Sequence, residues 1–311
     1  IMSKLPKHNP EPWKVLDPYR GKYFEGEWPS IPQMFDINVE RFPNNKVFEA
    51  FSPKHITFTY SEAQAMIVRI ANWLYSKGVR KGDRVGVTGK NSPEWALAYL
   101  GIMKMGAIVV PVDYTLSDSE IEKFFDFTEI KGFFIDGERI ERIGANNKYG
   151  FKVSLEEKNH EDDYILNIPD AGTQKWESPC AKDHAAYLFT SGTTGVPKAC
   201  MLTHENFISD CWLAQHWMNI YPDDVFYAIL PIHHAYTMLA VLIEGISSGA
   251  NVIFGKKLII NQLFKEMREG GVTMFLAVPL LFNKLIQAMM KGVKEKGPIV
   301  YGLIRCMMSI S

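Results

Sequence analysis

Between Thr59 and Asp136 the chain repeats one local pattern: a capping residue, an apolar-faced helix, a glycine stop and a short β-branched run. Ser61 is placed to cap a helix, with Gln64 completing a capping box. Ala63, Met66, Ile67, Ile70, Ala71 and Leu74 then recur at the three–four spacing of one buried face, and Gly78 ends the run. Arg84–Thr88 reads as a strand. Ser92 and Pro93 form an N-cap and first-turn pair, the helix runs to about Met105, and Gly106 closes it. Ile108–Val112 has the composition of a parallel strand covered on both faces. Ser117 and Glu120 make another capping box, a helix follows to about Thr128, and Phe133–Asp136 is the next strand. Successive βαβ units of this length restrict the fold to a parallel sheet with helices on both faces.

A second series follows. Ala185–Phe189, Val225–Leu230, Asn251–Phe254 and Thr273–Ala277 read as strands, and Glu205–Met218, Ala235–Ser247, Ile260–Arg268 and Leu280–Met290 as helices. The expected fold class is therefore α/β, with two stacked βα subdomains and largely parallel sheets flanked by helices. A small irregular or antiparallel β region is expected at about 137–183, where polar residues dominate. Residues 1–45, rich in Pro, Trp and charge, read as an extended N-terminal arm. The first subdomain is expected over 46–183 and the second over 184–311.

At roughly 150 residues per domain, 311 residues suit two domains or one large one. Lys and Arg total 34 against 35 Asp and Glu, so no basic excess points to a nucleic-acid partner. Cys180, Cys200, Cys211 and Cys306 are far apart and form no CxxC pair, which argues against a disulfide framework or zinc knuckle and for a reducing compartment. The apolar stretch from Ala96 to Val112 is broken by Lys104, Gly106 and Pro111, so it reads as a buried helix entering a strand and not as a membrane span. With no signal-peptide core at the N-terminus, a cytoplasmic location is expected. Peripheral membrane contact and oligomeric state stay open.

The strand at Ala185–Phe189 leads into six small residues: Thr190, Ser191, Gly192, Thr193, Thr194 and Gly195. Glycines let backbone N–H groups approach an anion, and hydroxyls add short donors to phosphate oxygens. Pro197 stiffens the exit and Lys198 brings a compact positive charge. A plain flexible turn is the bland alternative. A Walker-type loop fails on spacing, because Gly195 is followed by Val196 and Pro197, and Lys198 by Ala199. His233 and His234 form a second candidate site. On their own, adjacent loop histidines are more often surface residues or core hydrogen-bonders. No third ligand stands at helical spacing to make them a metal site. The 19 Phe and 14 Met, with Trp212 and Trp217, are read first as core packing and only second as a lipid-lined tunnel.

TSGTTGVPK, within AYLFTSGTTGVPKACMLTHENF, resembles the phosphate-binding signature of the adenylate-forming superfamily, which includes acyl-CoA synthetases, luciferases and peptide-synthetase adenylation domains. The Thr59–Leu116 stretch, LPIHHAYT and FLAVPLLFNKL resemble other family segments in order and spacing, so the resemblance runs from about Pro29 onward. It is closest to acyl-CoA synthetases, with the texture of the long-chain fatty-acid branch. The resemblance implies ATP-dependent activation of a carboxylic acid, a medium- or long-chain fatty acid, to an acyl-adenylate and then to acyl-CoA. ATP, Mg²⁺ and coenzyme A are the implied co-substrates and cofactor. It further implies that Thr190–Gly195 grip the β and γ phosphates while Lys198 offsets their charge. The Thr190 hydroxyl would ligate Mg²⁺, His234 would face the reaction centre, and Tyr236 would line the acyl pocket or its gate. Two alternatives remain: delivery of the acyl group to a carrier-protein thiol, or a non-catalytic phosphate- or partner-binding module.

Ala199 and Thr237 stand where the family usually has glycine. The chain also stops at IRCMMSIS, before the family's adenine-binding segment, Mg²⁺-binding Glu, ribose-binding Asp and C-terminal lid domain. The resemblance thus implies an N-terminal fragment, inactive or nearly so alone.

Overall fold

The computed structural model describes residues 11–144, 148–157, 163–190, 198–295, 297, 298, 301, 302 and 304. Its early strands are β1 (Lys46–Ala50), β2 (Ile56–Thr59), β3 (Arg84–Thr88), β4 (Ile108–Pro111), β5 (Phe133–Ile135) and β6 (Lys152–Ser154). Later come β7 (His184–Thr190), β8 (Lys198–Thr203), β9 (Val225–Ala228), β10 (Asn251–Phe254) and β11 (Met274–Phe275). They form a six-stranded sheet in the order β6-β5-β3-β4-β7-β8 and a five-stranded sheet in the order β11-β9-β10-β1-β2. Pairing is parallel except for the edge pairs β1–β2 and β7–β8. The α/β expectation with two mostly parallel sheets holds.

Helices fill the space between the sheets and cover their outer faces. Val109 of β4 enters the large central core with Trp95, Leu97, Tyr99 and Met103 of α3 (Pro93–Lys104) and Ile67, Ile70 and Leu74 of α2 (Tyr60–Ser76). Val110 and Val112 point the other way, onto Ile121 and Phe125 of α4 (Asp118–Phe127). This alternation is the period-two geometry of a strand buried on both faces. Gly86 of β3 is required there, since a Cβ would sit 2.5 Å from the Phe125 ring. On the far side, Tyr227 and Ile253 pack against Leu263 of α8 (Ile260–Glu269) and Leu281 and Leu285 of α9 (Pro279–Glu295). Each large side chain so buried contributes about 1.5–3 kcal/mol.

Four local expectations need correction. The first repeated helix begins at Tyr60, not after Ser61: Thr59 is the cap, and the reciprocal box is completed by Glu62 rather than Gln64. Gln64 instead reaches Asp36 at 2.9 Å. Residues 31–41 are no extended arm but α1 (Ile31–Arg41), with Met34, Phe35 and Ile37 in the central core. Its buried Asn38 donates to the carbonyls of Ile246 and Ser247 at 2.6 and 2.9 Å, which anchors it to α7 (Glu244–Ser248). In the excursion at 137–183 the described strand, β6, pairs parallel with β5, not antiparallel. Finally, the sheets do not divide near residue 184: β1 and β2 join the later strands, while β7 and β8 complete the earlier sheet.

The Ser117 capping box is present as expected, with the Glu120 N–H donating to Ser117 Oγ and the Ser117 N–H to Glu120 Oε2. Ser117→Ala should cost about 1 kcal/mol in chemical denaturation. A loss near zero would mean that water serves the exposed end of α4 equally well. Among the described residues, no helix is long and apolar enough to cross a membrane.

Candidate active site

The parallel strands deliver their carboxyl ends to one edge. β3 connects through α3 to β4 on one side, and β4 connects through α4 to β5 on the other. Connections that diverge to opposite faces open a crevice at that edge, where α/β proteins place ligands. Asn91 stands just beyond β3, Asp113 just beyond β4 and Thr190 at the end of β7.

The five-stranded sheet supplies the histidines. His233 and His234 follow β9, immediately ahead of α6 (Ala235–Thr237). Asn91 fixes this segment to the other sheet: its side-chain amide donates to the Ala228 and Leu230 carbonyls at 3.0 and 2.9 Å and accepts the Ile232 N–H at 3.0 Å. His233 is buried and His234 exposed, their rings 4.1 Å apart between centroids. His233 Nε2 lies 3.5 Å from Asp113 Oδ1, and Tyr114 meets the His233 ring edge-on at 6.1 Å.

Burial, reinforced by the neighbouring His234 and opposed by Asp113, lowers the His233 pKa to about 4, so that this ring is neutral at pH 7. Burial raises the Asp113 pKa, but hydrogen bonds from the Thr115 N–H and hydroxyl, both 2.8 Å, and the two histidines outweigh it. The Asp113 carboxyl therefore lies below its ordinary value.

Thr190 and Lys198 face each other across the β7–β8 ladder, at the mouth of the segment that joins the two strands. Ser191, Gly192, Thr193, Thr194 and Gly195 lie outside the described residues. Both Thr190 and Lys198 are exposed, and Lys198 lines a surface hollow of about 460 Å³ with Arg84, Phe127, Glu129, Tyr187 and Met201. The Glu129 carboxylate in that hollow pairs with Arg84 at 3.0 Å. The structure thus gathers His234, His233 and Asp113 into one cluster, while Thr190 and Lys198 stand at the end of a strand in the same sheet as Asp113.

Beyond α6 the helix widens into a π-helical segment, Met238–Ile243, before α7. Leu239 and Ala240 of this segment, with Leu213, Ala214, Trp217, Phe226 and Leu276, line an apolar hollow of about 330 Å³. Trp217 and Ala214 come from α5 (His204–Trp217). Trp212 of the same helix is core, as expected, but Trp217 is 78% exposed, which overturns the core reading for it. Tyr236 is exposed and is not among the residues lining this hollow. Glu244 does line it, although buried. Burial lifts its carboxyl pKa to about 7, against opposing hydrogen bonds from Gln215 and Cys211.

Asn91 and Asp113 were not singled out from the sequence. Their signal is positional: each is a polar residue two or three places past the end of a buried parallel strand. Glu244 carried no signal, because its burial depends on a partner helix.

The profile of the AMP-binding enzyme family matches residues 35–310. Among curated proteins, 4-coumarate–CoA ligase 3 of Arabidopsis thaliana is 28% identical over 72% of this chain and 42% of its own length. The medium/long-chain-fatty-acid–CoA ligase FadD6 of Mycobacterium tuberculosis is 27% identical over 80% of this chain and 42% of its own. The chain therefore spans less than half the length of each of these relatives. The crystal structure of ATP-bound MatB from Rhodopseudomonas palustris superposes with a TM-score of 0.72 at 25% identity, over 83% of this chain and 51% of that one. A profile match across nearly the whole chain, on a fold whose two sheets bring their strand ends to one crevice, places this chain in the AMP-binding enzyme family.

Proposed function

We propose that this chain supplies the acid- and phosphate-binding part of an ATP-dependent acyl-CoA synthetase. In the reaction, a substrate carboxylate oxygen attacks the α-phosphorus of ATP, the bond to the β-phosphate breaks, and pyrophosphate leaves. A coenzyme A thiolate then attacks the acyl carbon and releases AMP. A carboxylate must approach a polyanion, so positioning and charge neutralisation carry most of the rate. The observation that carries this reading is the placement of His234. Its exposed imidazole caps the crevice at the strand ends, held there by the Asn91 clamp, and is free to donate to a substrate carboxylate.

Thr190–Gly195 are assigned to the β and γ phosphates and Lys198 to their charge. Mg²⁺ takes much of its coordination from substrate phosphates and water. The exposed Thr190 hydroxyl fits as one oxygen ligand to an ion carried in on ATP, which would lower the charge on the leaving pyrophosphate. The acyl chain is assigned to the apolar hollow beside the π segment, with Tyr236 at its outer approach. That lining suits an alkyl or aromatic acid, and a medium- or long-chain fatty acid is the preferred substrate. Cytoplasmic placement accompanies this reading.

In the polypeptide that contains this chain, ATP, Mg²⁺ and a fatty acid should release pyrophosphate, and coenzyme A should then yield a thioester. His234→Ala should slow pyrophosphate release by about tenfold or more, equivalent to ~1.4 kcal/mol, and Lys198→Ala by less. No release with fatty, aromatic or short-chain acids would end the proposal. Thioester formation only on a carrier protein would move it to that acceptor.

A further inference from the structure

Three metal-ligating side chains meet at the crevice from two different sheets. Asp113 arrives from β4, and His233 and His234 arrive from β9. One ligand atom of each lies within 4.8 Å of the others. The 3.5 Å between His233 Nε2 and Asp113 Oδ1 is close to the ligand–ligand edge of a tetrahedral zinc site, about 3.3 Å for bonds near 2.05 Å. His233 is 8% exposed, and its Nε2 is buried with no hydrogen-bond partner. A buried ring nitrogen left without a hydrogen-bond partner beside a carboxylate is a polar atom whose pairing is incomplete, and in its unprotonated form its lone pair is available to a Lewis acid. The surroundings hold the ligands in place: Thr115 fixes the Asp113 carboxylate with two 2.8 Å bonds, and Asn91 fixes the backbone at Ile232, next to His233.

We propose that Asp113, His233 and His234 form a binding site for a transition-metal dication of the Zn²⁺ class, with a fourth position open to solvent. Two imidazoles and one carboxylate suit Zn²⁺ or Co²⁺, whereas Mg²⁺ and Ca²⁺ prefer oxygen alone. The exposure of His234 leaves the outer side of the cluster to water or an exchangeable anion. Metal occupancy would engage the His234 ring nitrogen that the proposed function assigns to a substrate carboxylate, so this inference rests on a state of the site distinct from that role.

The test is Co²⁺ titrated into the full polypeptide that contains this chain, in the absence of ATP and acid, read by the visible absorption of tetrahedral Co²⁺ and by its displacement with Zn²⁺. One equivalent should bind. Asp113→Asn and His233→Gln should each weaken Co²⁺ binding by about tenfold or more. A Cys180→Ser, Cys200→Ser double variant, which removes two exposed thiols, should bind as the parent does. Asp113 is only half-buried, so its variant tests the site even if replacement of His233 disturbs folding. A parent chain without one-equivalent tetrahedral absorption, or an Asp113→Asn variant with unchanged affinity, overturns the proposal. Because no nucleotide or acid is present, this outcome is independent of whether the chain takes part in adenylation.

Discussion

Asn91→Ala should destabilise the chain by about 3–5 kcal/mol and release the segment that carries His233 and His234. The side chain makes three hydrogen bonds, to the Ala228 and Leu230 carbonyls and from the Ile232 N–H, while it is itself only 6% exposed. Each such bond contributes about 1 kcal/mol net. Each buried backbone group left without a partner costs a further ~1–3 kcal/mol. Water entering the gap would recover part of that, which keeps the expected sum below the arithmetic maximum. Chemical denaturation should record the loss, and the Ile232 amide should lose its hydrogen-exchange protection. Asn91→Asp should be intermediate near pH 4 and worse at pH 8. It keeps an acceptor for Ile232 but turns a carboxylate toward two carbonyl oxygens. A loss below about 1 kcal/mol for Asn91→Ala would show that the two sheets hold the histidine segment without this clamp.

Glu244→Gln should stabilise the chain at pH 8 relative to pH 5, by roughly 2–3 kcal/mol more than any constant difference between the two proteins. The Glu244 side chain is 3% exposed and one carboxyl oxygen has no partner, so burial raises its pKa from 4.5 to about 7. A carboxyl raised in the folded state binds more protons folded than unfolded between those two values. Stability therefore falls as pH climbs from 4.5 to 7, and the penalty is complete above 7. At about 1.4 kcal/mol per pH unit the interval amounts to roughly 3 kcal/mol. Gln cannot ionise and escapes it. The comparison must be made as a difference, because buried Asp136, raised to about 6, tilts the parent curve the same way. His204, lowered to about 3 by burial, tilts it oppositely below pH 6.5. Parallel curves for the two proteins would remove the buried charge from the wall of the apolar hollow.

Much of the fold is legible in the sequence because its signals are local. Ser92 and Ser117 cap the helices that their spacing assigned them, and Asn251–Phe254 is a strand over its whole expected length. The first helix start was misplaced by two residues because T-x-x-E and S-x-x-Q overlap at Thr59–Gln64, and the charged box prevailed. The N-terminal helix was missed because Pro, Trp and charge in the first 45 residues masked a short apolar face at Ile31, Met34, Phe35 and Ile37. That face has little meaning until α7 and the central core lie against it.

The candidate site divides in the same way. TSGTTGVPK and LPIHHAYT named Thr190, Lys198 and His234, but the motifs could not say which chemistry-bearing residues would surround them. Asp113 is 120 residues from His233 in sequence and 3.5 Å from it in space. Asn91 bonds a backbone oxygen 137 positions away. Tyr236 and Lys198, both assigned by motif, are exposed and lie outside the Asp113–His233–His234 cluster, Lys198 in a separate hollow beside Arg84 and Tyr187.

The amino-acid order alone determined the α/β class, most element positions and the family signature, because capping, periodicity and glycine-rich turns act over four to eighteen residues. Only the tertiary structure decided which strands share a sheet, which histidine is buried and which distant carboxylate meets it. Those outcomes depend on long-range packing, whose energy comes from desolvating surfaces that no short stretch of chain contains.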